Sequence, residues 1–296
     1  MLSGLLSIAL VINELMASNA GSVMSPAYNF DSWIEIYNPT EEAVGLAGMY
    51  LSDDANNLKR WRMPANIGSV PAKGFLVVWL GSDDIKTTQA PFKLDCDGGS
   101  IFLSDRYGEL VTSVQYPEAL SRTSWARTTD GGDNWGWTDD ATPGATNATS
   151  VFASKRLAAP VVNEGSQILK GTLKVKVDFP EDAILMYTTD GTIPVIGSGS
   201  GRQSQNGQFT VTQTTNYVFR LFRKGYLPSV PVTRSYIKTN VEYTIPIVSI
   251  VGDERYFSDP MWGIDVKGSN GISGNGRDDP VNWNQPWDRE APAVRH

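Results

Sequence analysis

The strongest constraint on the fold is a period of two in the side chains of residues 31–39. Every second residue falls on the same face of an extended strand, with Trp33, Glu35 and Tyr37 on one face and Ile34 and Ile36 on the other. This alternation predicts a sheet that is packed on one side and wetted on the other. The apolar run Val11–Met16 precedes it across a loop of turn-forming residues. The two runs predict an antiparallel hairpin or arch that nucleates a β-sandwich.

Short apolar runs separated by Gly, Asp and Pro continue as far as residue 147. The run Phe75–Leu80 is apolar almost throughout, which predicts a strand in the middle of the core. The 28 glycines and 17 prolines of the 296-residue chain favour many turns and short strands over long helices. Strands at this spacing are typical of a Greek-key sandwich.

A second set of strand patterns begins near residue 159. Leu173–Phe179 alternates strictly, and the strands 184–188, 209–211, 217–222 and 232–237 follow, with a Gly/Ser/Gln loop predicted at 196–207. These patterns predict a second, smaller sandwich. In the C-terminal segment, residues 245–251 read as a buried-type strand.

The domain boundaries follow from these patterns and from changes in composition. Residues 1–10 contain an apolar run of the kind found in an export leader, but no basic residue precedes it. They are therefore either the remnant of an export leader or an apolar first strand. We predict a first sandwich at 11–147, a linker at 148–158, a second sandwich at 159–238 and a separate C-terminal segment at 239–296.

Charge and cysteine content exclude several classes of function. The formal net charge of −7 argues against nucleic acid and anionic membranes as partners, since both require clustered Lys and Arg. The single cysteine, Cys96, excludes an internal disulfide and a thiolate zinc cluster. The single histidine is the last residue, His296, where it is poorly placed for a catalytic triad or a zinc site.

The paired carboxylates Glu14 and Glu35 are the main candidates for acid–base chemistry. They occupy the first two strands and could face each other, as the carboxylates of a glycosidase must. Both also belong to the pattern that defines the sandwich, so we favour a structural role in which they cap backbone donors of an adjoining loop. We predict no catalytic residue and no cofactor in this chain.

Two further candidate sites remain open. Asp130, Asp133 and Asn134 form an Asp-rich turn that could supply oxygen ligands to calcium, although the turn does not fit a twelve-residue calcium loop. Trp135 and Trp137 are predicted to lie in a Gly-rich loop, where an exposed indole could stack on a sugar ring. Packing of these indoles over the end of the sandwich is the structural alternative.

Several of these motifs together resemble the lamin-tail domain. They are Ile12-Asn13-Glu14, Trp33–Pro39, Leu51–Asp54, the Phe75–Leu80 strand, and Thr142-Pro143-Gly144 with Asn147. The resemblance covers about residues 11–147 and implies an immunoglobulin-like β-sandwich. It implies neither nuclear location nor lamin function for this chain.

The later segments resemble two other families. Met186–Pro194 and Lys224–Ser229 are similar to the chitobiase/hexosaminidase C-terminal-like domain, an accessory β-sandwich of extracellular bacterial proteins. The segment from Tyr243 resembles the start of CotH family proteins, which have a spore-coat kinase-like fold. No kinase residue can be carried over, because the nucleotide and metal ligands of that family have no counterpart here.

The sequence therefore predicts an all-β chain with two tandem immunoglobulin-like β-sandwich domains and a short C-terminal segment. We expect a non-catalytic, secreted or cell-surface bacterial protein whose sandwiches serve as spacer and protein-interaction units of a CotH-like protein. One alternative is a carbohydrate-binding module that uses Trp135 and Trp137. Another is the N-terminal part of a CotH-like kinase. A protein or a glycan is the expected partner, with no nucleic acid and no membrane span.

Overall fold

The computed structural model describes residues 9–26, 29–81, 88–197, 199 and 201–252. Within these residues the chain forms nineteen β-strands and no α-helix, and a single turn of 3-10 helix covers Asn147–Thr149. The prediction of an all-β fold is confirmed. The chain divides into two compact units, of which the first ends at Ala153 and the second begins at Ser154.

The first unit is built mainly from two antiparallel sheets. Its strands are β1 Val11–Met16, β2 Ser32–Tyr37, β3 Val44–Gly45, β4 Tyr50–Ser52, β5 Trp61–Arg62, β6 Ser69–Val70, β7 Phe75–Leu80, β8 Gly99–Ser104, β9 Leu110–Tyr116, β10 Ser124–Arg127 and β11 Trp135–Thr138. Five strands form one sheet in the order β11-β10-β1-β2-β7, and four form the other in the order β5-β4-β8-β9. A short β3-β6 ribbon completes the unit.

The core of the first unit lies between the two sheets. Ile34 and Ile36 of β2 belong to the same buried cluster as Leu51 of β4 and Leu103 of β8, and all four are fully buried. The predicted pairing of the first two strands is confirmed, because β1 and β2 run antiparallel with Ile12 opposite Ile36. Burial of this apolar face supplies the main favourable free energy of folding.

The outer face of the five-stranded sheet is also buried, which corrects the expectation of a wetted face. Trp33 and Glu35 point away from Ile34 and Ile36, and both are 0% exposed. The reason is a tertiary contact, since residues 142–152, the covering segment, fold back over this face. A Cβ atom at Gly136 would lie 3.1 Å from the Cβ atom of Phe152, so the covering segment approaches β11 closely.

The strand Phe75–Leu80 has the predicted bounds but not the predicted position. It lies at one end of the five-stranded sheet, next to β2, and only Val78 and Leu80 are buried. The middle of this sheet is β1. A continuous apolar run therefore marks an edge strand here, with its side chains covered only in part.

The second unit contains two further sheets. Its strands are β12 Val161–Val162, β13 Gln167–Leu169, β14 Leu173–Asp178, β15 Ile184–Thr188, β16 Arg202–Ser204, β17 Gln208–Val211, β18 Thr215–Phe222 and β19 Val232–Lys238. Their orders are β12-β14-β17 and β13-β19-β18-β15-β16. All pairs are antiparallel except β13 with β19. The predicted loop at 196–207 is wrong in part, because β16 pairs with β15.

The core of the second unit is rich in aromatic rings. Tyr187, Phe209, Tyr217 and Phe219 form a cluster in which the ring centroids lie 5.0 to 6.5 Å apart. On β14 the observed burial follows the predicted alternation, since Val175 and Val177 are buried and Lys174 and Lys176 are exposed. The sequence pattern alone sets the faces of this strand.

The chain leaves the second sandwich after β19 as an extended segment. Residues 245–250 are exposed and belong to no strand, which corrects the expectation of a buried-type strand at 245–251. Ile245 is 73% and Val248 83% exposed. The Ser249 hydroxyl donates to the Ser235 hydroxyl at 2.8 Å, which holds this segment to β19. The rest of the C-terminal segment lies outside the described residues.

Candidate functional site: a buried carboxylate network

Two carboxylates meet on the covered face of the five-stranded sheet. Glu14 of β1 and Glu35 of β2 are paired across the antiparallel ladder, and an irregularity in β1 between Ile12 and Glu14 shifts the register at this point. Both residues are 0% exposed. A buried carboxylate must find hydrogen-bond partners within the protein, because isolated charge is costly away from water.

Glu14 accepts hydrogen bonds from β10 and from the covering segment. The Ser124 hydroxyl donates to Glu14 Oε1. The backbone N–H of Thr142 lies 3.3 Å from each carboxylate oxygen, and Thr142 Oγ1 lies 3.2 Å from Glu14 Oε2. One strand carboxylate thus holds the start of the covering segment against the sheet.

Asn147 links the covering segment to two strands of the sheet. Its amide nitrogen donates to the carbonyl oxygens of Arg127, at 2.8 Å, and Asn13, at 3.4 Å, so its Oδ1 faces Thr142 and accepts from Thr142 Oγ1 at 2.9 Å. A hydroxyl has one hydrogen, so Thr142 Oγ1 shares it between Asn147 Oδ1 at 2.9 Å and Glu14 Oε2 at 3.2 Å. Asn147 therefore ties the start of the covering segment to β1 and β10.

The buried surroundings of Glu14 favour its protonated form. Burial raises its pKa from 4.5 to about 7, because the charged form loses its hydration, and the hydrogen bonds from Ser124 and Thr142 oppose that rise. The nearby charge of Asp130 raises the pKa further. Near neutral pH, Glu14 is close to half protonated.

Glu35 anchors the next part of the cover. The backbone N–H of Gly144 donates to Glu35 Oε2 at 2.7 Å, and the side-chain amide of Asn13 donates to Oε1 at 3.0 Å. Burial raises the pKa of Glu35 to about 8, and the adjacent charges of Glu14 and Asp130 add to the rise. The two hydrogen bonds lower it, but they do not offset the loss of hydration.

Asp130 and Asn13 join the two carboxylates to the turn between β10 and β11. Asp130 Oδ1 accepts from the Asn13 amide and from the backbone N–H of Asn147, both at 3.0 Å, and Oδ2 accepts from the Thr146 hydroxyl. The backbone N–H of Gly131 donates to Asn13 Oδ1 at 3.0 Å. The network therefore fastens both the β10–β11 turn and residues 142–147 to the sheet.

This geometry suits a structural role. A glycosidase pair needs access to a sugar and to water, whereas Glu14 and Glu35 are sealed and their oxygens accept hydrogen bonds from loop donors. The prediction that these carboxylates cap backbone donors in an adjoining loop is confirmed by the bonds from Thr142 and Gly144. The pattern analysis missed the contributions of Ser124 and Asp130, which come from distant parts of the chain.

Part of the first unit is similar to a known family. Residues 7–118 match the family model of the Lamin Tail Domain. This match covers less than half of the chain and confirms the lamin-tail part of the predicted resemblance. A search of curated proteins finds no match.

The lamin tail domain is an immunoglobulin-like, non-catalytic fold, and its presence indicates a protein-interaction module. The network ties this domain to residues beyond the matched range, since Thr142, Gly144 and Asn147 all follow residue 118. The first unit is thus completed by a segment that the family match does not include. No helix in the described part of the chain has the length and apolar character needed to cross a membrane.

Trp135 and Trp137 lie in a strand and not in a loop, which corrects their predicted placement. In β11, Trp137 is opposite Trp125 and Trp135 is opposite Arg127. Trp137 is 5% exposed, and its ring centroid lies 5.0 Å from that of Trp125. Trp135 is partly buried, stacks on Trp125 at 6.1 Å and has the Arg127 guanidinium 4.7 Å from its centroid. A sugar contact by these two residues stays a prediction.

The residues of the predicted calcium turn have different surroundings. Asp130 lies in the network, where N–H and O–H donors occupy its carboxylate. Asp133 and Asn134 are exposed, and the carbonyl oxygen of Asn134 accepts from the backbone N–H of Thr128 at 2.8 Å. Among the described residues, no three His, Cys, Asp or Glu side chains are grouped to hold a metal ion. Calcium binding by this turn stays a prediction.

The remaining reactive side chains are isolated or lie outside the described residues. Cys96 is exposed, and its thiol lies 3.7 Å from the carbonyl oxygen of Ala17. His296 is in the undescribed C-terminal segment. A thiol nucleophile requires a base or a neighbouring cation to activate it, and the contacts of Cys96 supply neither.

Proposed function

We propose that this chain is a non-catalytic protein, exported by or displayed on a bacterial cell, in which two β-sandwich units serve as spacers and protein-interaction units of a CotH-like protein. The lamin tail domain at residues 7–118 supports the interaction role. The resemblance of residues 186–194 and 224–229 to an extracellular accessory domain supports export.

The observation that carries the non-catalytic part is the sealing of Glu14 and Glu35. These residues form the one carboxylate pair that the sequence offered for acid–base chemistry, and both are fully buried and bonded to the cover. A site needs a cleft as well as reactive groups. The raised pKa values of the pair follow from burial within a structural network.

An activity screen of the purified full chain tests this proposal. We expect no turnover of glycoside, ester, peptide or phosphoryl-transfer substrates above that of a buffer blank. The matched control is the Glu14→Gln/Glu35→Gln double variant, which removes both titrating groups and keeps the side-chain shapes. Turnover in the natural chain that disappears in this variant would contradict the proposal.

Surface labelling of intact cells of the source organism tests the export part of the proposal. Labelling that occurs only after lysis would contradict it.

A carbohydrate-binding function through Trp135 and Trp137 is the second candidate. The partial exposure of Trp135 favours it, because part of one indole remains accessible. A glycan array with the natural chain, Trp135→Ala and Trp137→Ala measures it. Binding that is lost in Trp135→Ala, with the fold preserved by circular dichroism, would support this candidate, and a blank array would exclude it.

A further inference from the structure

The two units of the chain carry opposite charge. Residues 1–153 contain 9 Lys and Arg against 18 Asp and Glu, a formal charge of −9. Residues 154–252, which make up the described part of the second unit, contain 11 Lys and Arg against 6 Asp and Glu, a formal charge of +5. The net charge of the whole chain therefore conceals a basic β-sandwich. Such an asymmetry points to a separate, anionic partner for the basic unit.

Part of this positive charge lies at a polar groove in the second unit. Its volume is about 380 Å³, and its lining comes from β15 to β18 and the turns beside them. Five of the lining residues are threonines, namely Thr189, Thr210, Thr212, Thr214 and Thr215, and Arg202 lies among them. No aspartate or glutamate is among the described residues that line the groove.

Two lysines extend the positive charge at the groove. Lys174 Nζ donates to the hydroxyl of Thr210 at 2.8 Å, and Lys238 Nζ donates to the carbonyl oxygen of Thr212 at 2.8 Å. Both lysines and Arg202 are exposed. Asp190 directly follows the lining residue Thr189, and its carboxylate accepts from the N–H and the hydroxyl of Thr192. The groove thus combines hydroxyl groups with three cationic side chains from different strands.

We propose that this groove binds an acidic oligosaccharide, a sugar chain that carries carboxylate or sulfate groups. Hydroxyl and amide side chains match the hydroxyl groups of a sugar, and a guanidinium pairs with a carboxylate or sulfate in a two-pronged geometry. Single-stranded nucleic acid fits less well, because it needs exposed aromatic rings for base stacking. Tyr217, the one aromatic residue of the described lining, is only 8% exposed.

Binding of three probes by the full chain tests the proposal. Isothermal titration is carried out with oligogalacturonate, with sulfated dextran oligosaccharide and with a single-stranded oligodeoxynucleotide, and neutral dextran oligosaccharide is the uncharged control. We expect at least one acidic sugar to bind at least about tenfold more tightly than neutral dextran, and the tighter of the two identifies the anion. Failure of both acidic sugars to bind would overturn the proposal, as would a tighter complex with the oligodeoxynucleotide.

Substitutions then place the ligand in the groove. Arg202→Gln should weaken binding of the acidic sugar about tenfold, since it removes a charge-assisted hydrogen bond to the anion. Lys176→Gln makes the same change of charge on β14, where Lys176 already pairs with Asp178 at 2.5 Å, and should weaken binding less than about twofold. Thr212→Val keeps the branched shape and removes a hydroxyl, so it should weaken binding of the sugar. Equal losses in Arg202→Gln and Lys176→Gln would indicate diffuse attraction and overturn the assignment to the groove.

Discussion

The two units of this chain cover their main sheets by different means. In the first, a folded-back segment covers the outer face and is held by buried carboxylates. In the second, an apolar and aromatic core lies on one side of β14, and exposed lysines lie on the other. The first arrangement depends on protonation and on a complete set of hydrogen bonds, whereas the second depends on packed area. Variants in each unit test this difference.

The largest effect is expected from truncating the aromatic core of the second unit. Phe219 is fully buried and contacts the rings of Tyr187, Phe209 and Tyr217. Phe219→Ala should lower the free energy of unfolding of this unit by about 3–5 kcal/mol, because it removes packing and leaves a cavity. Hydrogen exchange of peptides from each unit measures the loss, which should be confined to the second unit. Phe219→Leu is the control and should cost less than half as much. Equal costs for the two variants would show that the ring contacts, and not the packed apolar volume, stabilise this unit.

The stability of the first unit should fall as pH rises. The pKa values of Glu14 and Glu35 are raised from 4.5 to about 7 and about 8, so the folded unit keeps protons that the unfolded chain releases. This contribution is fully present below about pH 4.5 and is lost as pH rises through 7 and 8. At about 1.4 kcal/mol per pKa unit, we expect a loss of a few kcal/mol between pH 5 and pH 9. Urea unfolding followed by hydrogen exchange measures it.

The Glu14→Gln/Glu35→Gln double variant is the control for this pH dependence. An amide resembles the protonated carboxyl, so the variant should match the natural chain at pH 5 and exceed its stability at pH 9. The second unit should change little over the same range. A first unit whose stability rises from pH 5 to pH 9 would mean that the carboxylates are ionised in the folded state.

Loss of a single amide should weaken the network by a smaller amount. Asn147 is 1% exposed and bonds the carbonyl oxygens of Asn13 and Arg127 as well as the Thr142 hydroxyl. Asn147→Ala should cost the first unit about 2 kcal/mol, because buried polar groups lose their partners. Asn134→Ala, at an exposed site in the β10–β11 turn region, is the control and should change stability by less than about 0.5 kcal/mol. Proteolysis of the 142–152 segment provides the readout, and equal cleavage of the two variants would argue against the network as its anchor.

The smallest effect is expected on the exposed face of β14. Lys176 pairs with Asp178, but its side chain is 60% exposed. Lys176→Ala should change the free energy of unfolding by less than about 0.5 kcal/mol, because exposed ion pairs contribute little. Thermal unfolding at low and high salt measures it. A loss above about 1 kcal/mol would mean that the second unit also relies on polar anchoring.

Local patterns predicted the strands of both units more reliably than their positions. The bounds of β7 and β15 agree with the apolar runs that indicated them, and those of β14 agree to within one residue. The same patterns placed β7 in the middle of the sheet and missed β16, whose residues Arg202–Ser204 have no apolar period. A strand that is held by its partner's backbone needs no apolar pattern of its own, so periodicity does not detect it.

The candidate site was predictable only in part. The motifs containing Glu14, Glu35 and Asn147 marked the residues that converge, and a capping role was expected for the carboxylates. The hydrogen bond from Ser124 and the role of Asp130 join positions more than 100 residues apart, from β1 to β10 and the β10–β11 turn. No spacing rule relates residues at that separation. The same is true of the groove around Arg202, which several strands assemble.

The amino-acid sequence by itself determined that this chain forms successive β-sandwiches, because period-two burial is a local property of each strand. It also determined the opposite charges of the two halves. Only the tertiary structure decided that the second face of the first sheet is buried, because that depends on where residues 142–152 return to the sheet. Whether a carboxylate lies in water or under a covering segment is set by such distant contacts, and its protonation follows from them.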